Sequence, residues 1–171
     1  MLIEQENVWD FPRPAICEVF AGSLEVEVSG HVLAKTENGF RSLETSHPPS
    51  YYIPPTDNSM DLLRSNQRVT LCEWKGQASY FDLKIGDKII ANVAWTYTNP
   101  TPAFEKIKGY LSFYASKVDM CYVNGEKVLA QDGDFYGGWI TKNLVGHLKE
   151  LKAVSYTHLR AHETDSYLVC R

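Results

Sequence analysis

The stretch VNGEKVLA, residues 123–130, decides the fold class of this chain. It sets Asn124-Gly125 between two apolar runs, and this dipeptide favours a two-residue type I′ turn because both central positions of that turn need φ above zero. Two further stretches share the pattern, VSGHVLA at 28–34 and IGDKIIA at 85–91. Three hairpins therefore predict at least six strands, most of them antiparallel.

Helix signals are few and short. Asp57 follows a pair of prolines and is predicted to cap one or two helical turns over residues 57–64. Thr101, Pro102 and Gly109 have the order of an N-cap, a first-turn proline and a C′ glycine, which predicts a second short helix. The chain is thus predicted to be mainly β with one or two short helices.

The last residues differ from everything before them. VSYTHLRAHET at 154–164 matches one reading frame of a common transposon-based sequencing adapter, and the residues around it fit the same reagent. We therefore interpret 153–171 as an adapter-derived tail and 1–152 as the protein proper. A chain of about 150 residues has the core of one domain, so a single domain is expected.

Composition excludes several classes of function. The net charge is −4 and no run of Lys or Arg occurs, so neither nucleic acid nor an anionic membrane is expected as a partner. Cys17, Cys72 and Cys121 stand alone, which argues against a disulfide framework and a zinc site. Without a signal peptide or an apolar span at the N-terminus, a soluble cytoplasmic protein is predicted. No metal is indicated, and the oligomeric state and any cofactor are left open.

Four phrases carry a family resemblance. They are LETSHPPSYYIPPTD at 43–57, CEWKGQASYF at 72–81, AWTYTNPTPAF at 94–104 and FYGGWIT at 135–141. Together they resemble the domain of unknown function 427 family of mostly bacterial proteins, in order from about Val8 to Lys149. The resemblance implies a β-tent-like single domain of antiparallel strands, with the tyrosines, the Cys-x-x-Lys-Gly turn and the Trp-x-Tyr pair facing one concave site. It also brings the label nucleotidyltransferase-like.

Lys75 and Cys72 are the first candidates for chemistry. If residues 71–74 form a strand that Gly76 turns, Cys72 and Trp74 share a face and Lys75 lies at the strand end. Lys75 is then a ligand for a phosphate or carboxylate, or a base of lowered pKa; alternatively its stem covers Trp74 and its ammonium reaches water. Cys72 is either a nucleophile, with Lys75 or His47 as its activating neighbour, or a small buried apolar residue.

Further candidates come from the proline-rich and aromatic phrases. Tyr52 is held extended by flanking prolines and offers a stacking surface with a hydroxyl group; alternatively it belongs to a packed edge strand. Asp57 and Glu44 are candidate carboxylates for proton transfer. Alternatively, Asp57 caps a helix and Glu44 is an acid on the surface. Tyr80, Trp95 and Tyr97 complete an aromatic box for a ligand together with Tyr52, or are simply part of the core. These six residues and the Lys75 turn make the predicted site.

Two hypotheses about function follow. In the first, the protein binds a small organic or anionic metabolite in an aromatic cleft, with Lys75 supplying charge and Asp57 or Glu44 any proton transfer. In the second, exposed hairpin edges or an aromatic patch bind a partner protein. A nucleotidyltransferase activity has only Asp132-Gly133-Asp134 to hold Mg²⁺, without the basic or Gly-Ser companions that a triphosphate needs.

Overall fold

Short turns join most of the strands in this computed structural model, which describes residues 4–133 and 136–149. The strands are β1 Glu6–Asn7, β2 Ile16–Phe20, β3 Leu24–Val28, β4 His31–Thr36, β5 Gly39–Leu43, β6 Ser50–Tyr52, β7 Leu63–Cys72, β8 Gly76–Ile85, β9 Lys88–Tyr97, β10 Leu111–Phe113, β11 Met120–Val123, β12 Glu126–Lys127, β13 Leu129–Ala130, β14 Trp139–Ile140 and β15 Leu144–Val145. Short 3-10 helices cover Val8–Asp10, Pro55–Asp57, Met60–Leu62 and Pro102–Ile107. The fold is mainly β, as predicted, and the predicted tail at 153–171 lies outside the described residues.

Three antiparallel sheets make most of the structure. Their strand orders are β10-β9-β8-β7, β12-β11-β3-β4 and β2-β5-β6. Two smaller pairs complete the described part, an antiparallel β13-β14 pair and a parallel β1-β15 pair that brings the two ends of the described chain together. A bridge between Ile53 and Leu111 links the end of β6 to β10.

The three predicted hairpins are confirmed with two-residue loops. Val28 pairs with His31, Ile85 with Lys88, and the Asn124-Gly125 turn joins β11 to β12. Asn124 and Gly125 have φ of 51° and 80°, as a type I′ turn requires. Local turn chemistry therefore accounts for the strand pairing around these loops.

The helix predictions are confirmed in one case and corrected in the other. Thr101 is the N-cap of the helix at Pro102–Ile107, which is a 3-10 helix. Asp57 is the last residue of a 3-10 turn and not an N-cap, and the helix predicted over 57–64 is reduced to one 3-10 turn at Met60–Leu62. The reason is that β7 begins at Leu63, where pairing with Leu83 of β8 takes the chain into the sheet.

Apolar side chains pack in three clusters. The largest lies between the sheets and includes Leu24, Leu33, Phe113 and Trp139. The second is aromatic and lies under the β7–β8 turn; it contains Ala15, Tyr52, Cys72, Ala78, Tyr80, Trp95, Tyr97, Phe104, Ile107 and Tyr114. The third joins the chain ends through Val8, Phe11, Leu43, Ile140 and Leu144. The second cluster supports the candidate site described next.

Candidate functional site

The turn between β7 and β8 places Lys75 at the site. Cys72 pairs with Gly76, so residues 73–75 form a three-residue loop. β7 ends at Cys72, and the strand that we predicted to continue to Trp74 is therefore wrong in its end point. Trp74 and Lys75 belong to the loop, where side-chain direction no longer follows the alternation of a strand.

Hydrogen bonds hold this loop against the core. The Lys75 backbone N–H donates to Cys72 Sγ at 3.3 Å, and the Thr101 N–H donates to the Lys75 carbonyl at 3.0 Å. The Thr101 hydroxyl also donates to the Trp74 carbonyl at 2.5 Å. With its backbone fixed on both sides, Lys75 extends inward, where only 1% of the residue is exposed. Its Nζ lies 5.7 Å from the centre of the Phe104 ring.

Glu44 and His47 reach the same place from the segment after β5. The His47 N–H donates to the Glu44 carbonyl at 3.1 Å, which closes a tight turn between them. Ser46, within that turn, has a φ of 72°. Glu44 and His47 are each only 6% exposed, so two further titratable side chains are buried near Lys75.

A small cavity connects these three groups. Its volume is about 10 Å³, which leaves space for about one water molecule, and it is lined by Ser42, Glu44, His47, Pro48, Ser50, Lys75 and Tyr136. Ser42 of β5 lies directly opposite Ser50 of β6, so the pairing of these strands places two hydroxyl groups side by side. The residues around the cavity thus combine three hydroxyls, an amine, a carboxyl and an imidazole around a space for about one water.

Burial brings the pKa of the Glu44 carboxyl and the pKa of the Lys75 amine closer together. It raises the pKa of Glu44 to about 7, against the opposing effects of the Lys75 charge, the nearby Trp74 indole N–H and the Arg13 charge. It lowers the pKa of Lys75 to about 8, although the Glu44 charge acts in the opposite direction. A carboxyl and an amine that both titrate near neutral pH can exchange a proton at little cost in free energy.

His47 is held in one tautomer by a chain of hydrogen bonds. The Gly138 N–H donates to Gln131 Oε1 at 3.0 Å, which directs the Gln131 amide N–H groups elsewhere. Gln131 Nε2 lies 3.2 Å from His47 Nδ1, and an amide nitrogen only donates, so Nδ1 accepts and the ring proton is on Nε2. Burial, with Lys75 and Arg13, lowers the pKa of His47 to about 4, so the ring is neutral at pH 7.

The predicted aromatic residues are brought together, but as covered rings. Tyr52, Tyr80, Trp95 and Tyr97 are fully buried and share one cluster with Cys72. The Ser50 hydroxyl lines the cavity and donates to the Tyr52 hydroxyl at 3.3 Å, which joins the cluster to the cavity. A ligand role for these rings stays a prediction, because the surface that meets the cavity belongs to Lys75, Glu44 and their neighbours.

Other predicted residues lie elsewhere. Asp57 accepts a hydrogen bond from the Thr36 hydroxyl at 2.6 Å and is not among the residues that line the cavity. Asp132 is 3.3 Å from the Lys149 ammonium, an ion pair at the surface. Asp134, the other half of the proposed Mg²⁺ pair, lies outside the described residues.

Ser42, Ser50 and Tyr136 were missed by sequence reasoning, and His47 was named only as a neighbour of Cys72. His47 and Ser50 stand in the SHPPSYY phrase, beside the tyrosines that were chosen, so their position in a motif was an available signal. Ser42 had no such signal in the sequence, because it lines the cavity only through its pairing with Ser50. Tyr136 stacks on His47 with ring centres 3.6 Å apart, a contact between distant parts of the chain.

The described residues contain neither a cluster of metal ligands nor a helix that could span a membrane. Within residues 4–133 and 136–149, no three His, Cys, Asp or Glu side chains converge as a metal site would need. In the same residues no helix has the length and apolar character to cross a membrane.

The family follows from a match over the centre of the chain. A family model described as Domain of unknown function (DUF427) matches residues 16–124, which is more than half of the sequence. The chain belongs to the DUF427 family. The DUF427 match contains Glu44, His47 and Lys75, whereas Tyr136 and strands β12–β15 lie beyond it. No curated protein matches the chain. The expected family is confirmed, and its description names no activity.

Proposed function

We propose that this protein binds a small organic anion, such as a carboxylate-bearing metabolite, at the Lys75 ammonium. One observation carries the proposal: Lys75 is buried beside Glu44 and His47 on a shared cavity. Burying ionisable groups costs several kcal/mol per ion by rough estimate, and hydrophobic residues would fill the space at lower cost. Such clusters are more common at functional sites than in ordinary cores.

Each group has a role in this proposal. Lys75 supplies the positive charge and Glu44 accepts or returns a proton. His47 offers a neutral Nε2–H as a hydrogen-bond donor. The aromatic cluster beneath holds the turn rigid, so the first hypothesis is retained with the rings as support. Proton transfer within a bound ligand is the reaction that this set could catalyse.

Access sets a condition on binding. The cavity of about 10 Å³ takes about one water, so a larger ligand has to displace part of the wall. Pro48 and Tyr136 are among the residues that line it. We therefore expect slow association, because binding needs a conformational change.

The test compares two lysine variants. Thermal unfolding of the full chain is measured with a panel of small mono- and dicarboxylates, in the wild type, in Lys75→Met and in Lys84→Met, whose lysine is exposed. A ligand at about 100 times its Kd should stabilise the wild type and Lys84→Met by about 2.7 kcal/mol and leave Lys75→Met unchanged. Equal stabilisation of all three proteins, or of none, would contradict the proposal.

Tyr52 is less useful for this test. Its ring is fully buried, and removing a buried aromatic side chain costs about 3–5 kcal/mol. Tyr52→Ala would therefore unfold much of the protein whether or not Tyr52 faces a ligand. Lys75→Met keeps the volume and removes only the charge.

A second candidate function rests on strand β7. This ten-residue strand is at the edge of its sheet in the described structure, and Val69 and Leu71 on it are exposed. An exposed edge with apolar side chains can accept a strand from a partner protein. Val69→Lys with Leu71→Lys should abolish pull-down of such a partner without lowering the stability of the fold. Retained capture by this variant would contradict a role for β7.

A further inference from the structure

Ser42 and Glu44 line the cavity, and each has a buried polar atom, Ser42 Oγ and Glu44 Oε2, that has no hydrogen-bond partner among the described residues. An unsatisfied buried polar group costs about 1–3 kcal/mol, and more when it is charged, so such atoms are rare in folded proteins. The presence of Ser42 and Glu44 on the same cavity calls for a common explanation.

We propose that the cavity binds one ordered water molecule that joins Ser42, Glu44 and Lys75. This inference does not depend on the proposed ligand, since it concerns the protein by itself. It deals with both unsatisfied atoms at once, because a water molecule can donate to Glu44 Oε2 and exchange a hydrogen bond with the Ser42 hydroxyl.

The size and chemistry of the cavity favour water over the other possible occupants. A buried water needs roughly 10–15 Å³ of accessible volume and two to four polar partners, and this cavity provides both. Chloride is larger and would lie against the Glu44 carboxylate. A metal cation would meet the Lys75 ammonium and a single carboxylate, which is a poor ligand set.

The water gives Glu44 and Lys75 a path for protons. When Lys75 loses a proton to the water, the water passes one of its own to Glu44, and it remains neutral throughout. Lys75, Arg13, Glu73 and His47 are the charged or titratable groups that act on or lie beside Glu44. Loss of the water would leave the Glu44 charge less solvated and raise its pKa further.

Crystallography of the full chain at about 1.2 Å, where ordered waters are well defined, tests the site directly. We expect one fully occupied water within hydrogen-bond distance of Ser42 Oγ and Glu44 Oε2. Magnetic relaxation dispersion of the same protein in solution should detect a long-lived internal water. A dry cavity, a bound ion or a Glu44 side chain turned to a protein donor would overturn the proposal.

Two serine variants test the link to Glu44. Ser42→Val fills the cavity and should expel the water, and the pKa of Glu44 measured by carbon NMR should rise by about one unit. Ser112→Val is the matched control, because Ser112 is equally buried but does not line the cavity. The same rise in both variants, or in neither, would contradict a water that solvates Glu44. If Ser42→Val does not fold, the two measurements on the wild type decide the question.

Discussion

Glu44 and Lys75 undergo opposite pKa shifts for one physical reason. Each group loses water on folding, and this loss disfavours its charged form. The pKa of the Glu44 carboxyl is therefore raised and the pKa of the Lys75 amine is lowered. Their mutual attraction opposes both shifts and does not cancel them. The site therefore consists of an acid and a base whose strengths have become similar.

Glu44→Gln should gain stability relative to the wild type as the pH rises from about 5 to 8. The pKa of Glu44 is raised from its ordinary 4.5 to about 7, so the folded state holds this proton more tightly than the unfolded chain. Stability from this group is present below pH 4.5 and lost as the pH rises through about 7. Glutamine does not titrate and avoids that loss, which is on the order of 2 kcal/mol.

Urea unfolding at pH 5, 6.5 and 8 measures this change. Glu37→Gln is the control, since Glu37 is exposed and is not among the groups that act on Glu44, so its replacement should not reproduce the change. A Glu44→Gln difference that stays constant with pH would show that Glu44 titrates normally in the folded protein.

At the scale of elements, the segment at Gly137 meets the aromatic cluster without room for a side chain. A Cβ on Gly137 would lie 2.6 Å from Trp95 Cη2, and the φ of Gly137 is 66°. Trp95 is fully buried, so it has little space to move away. The segment before β14 therefore depends on glycine both for its backbone conformation and for its approach to β9.

Gly137→Ala should lower the free energy of unfolding by about 2–4 kcal/mol, from backbone strain and overpacking together. Gly86→Ala is the matched control, because its φ is also positive, at 57°, but no atom lies within 4 Å of the added methyl group. Its cost should be about 1 kcal/mol. Equal costs measured by thermal unfolding would contradict the close packing at Gly137.

Arg41 ties three strands together. From β5 it bonds Glu6 of β1 through two nitrogens, at 2.9 and 2.7 Å, and Glu18 of β2 at 2.9 Å. Its side chain is only 15% exposed, so solvent screens these bonds weakly. Arg41 thereby fastens the first strand of the chain to the sheet.

Arg41→Met should cost about 2 kcal/mol, because it leaves two carboxylates without their partner in a half-buried place. Lys35→Met is the comparison: the Lys35 side chain is 69% exposed and lies 3.5 Å from Glu25. Its loss should change stability by less than about 0.5 kcal/mol. Similar values for the two variants in urea unfolding would argue against a structural role for Arg41.

At the scale of the molecule, segments outside the family match complete the core. Trp139 is fully buried, and its indole N–H donates to the Phe113 carbonyl at 2.9 Å. The third apolar cluster needs Val8 from one end of the chain and Leu144 from the other. The DUF427 match at 16–124 contains neither of these ends.

Residues 16–124 alone should therefore fail to fold cooperatively. Removing Trp139 alone costs about 3–5 kcal/mol, which is comparable to the whole stability of a small domain. Circular dichroism during heating is expected to show a sharp transition for the full chain and none for 16–124. A sharp transition of the fragment near the melting temperature of the full chain would contradict this expectation.

The sequence by itself determined the mainly β fold, the three hairpins and the family. Turn types depend on the φ preferences of two or three adjacent residues, and those are visible in the sequence, as at Asn124-Gly125. The end of β7 and the helix after Pro55 were misplaced because sheet pairing overrode local preferences there.

Only the tertiary structure decided what surrounds Lys75. Glu44 and His47 approach it from a separate part of the chain, and Ser42 joins them through its pairing with Ser50. The aromatic residues chosen from the sequence became the covered support of the site, because side chains of that size are most stable when packed together. Contacts between distant segments depend on how the whole core packs, and no local pattern in the sequence specifies them.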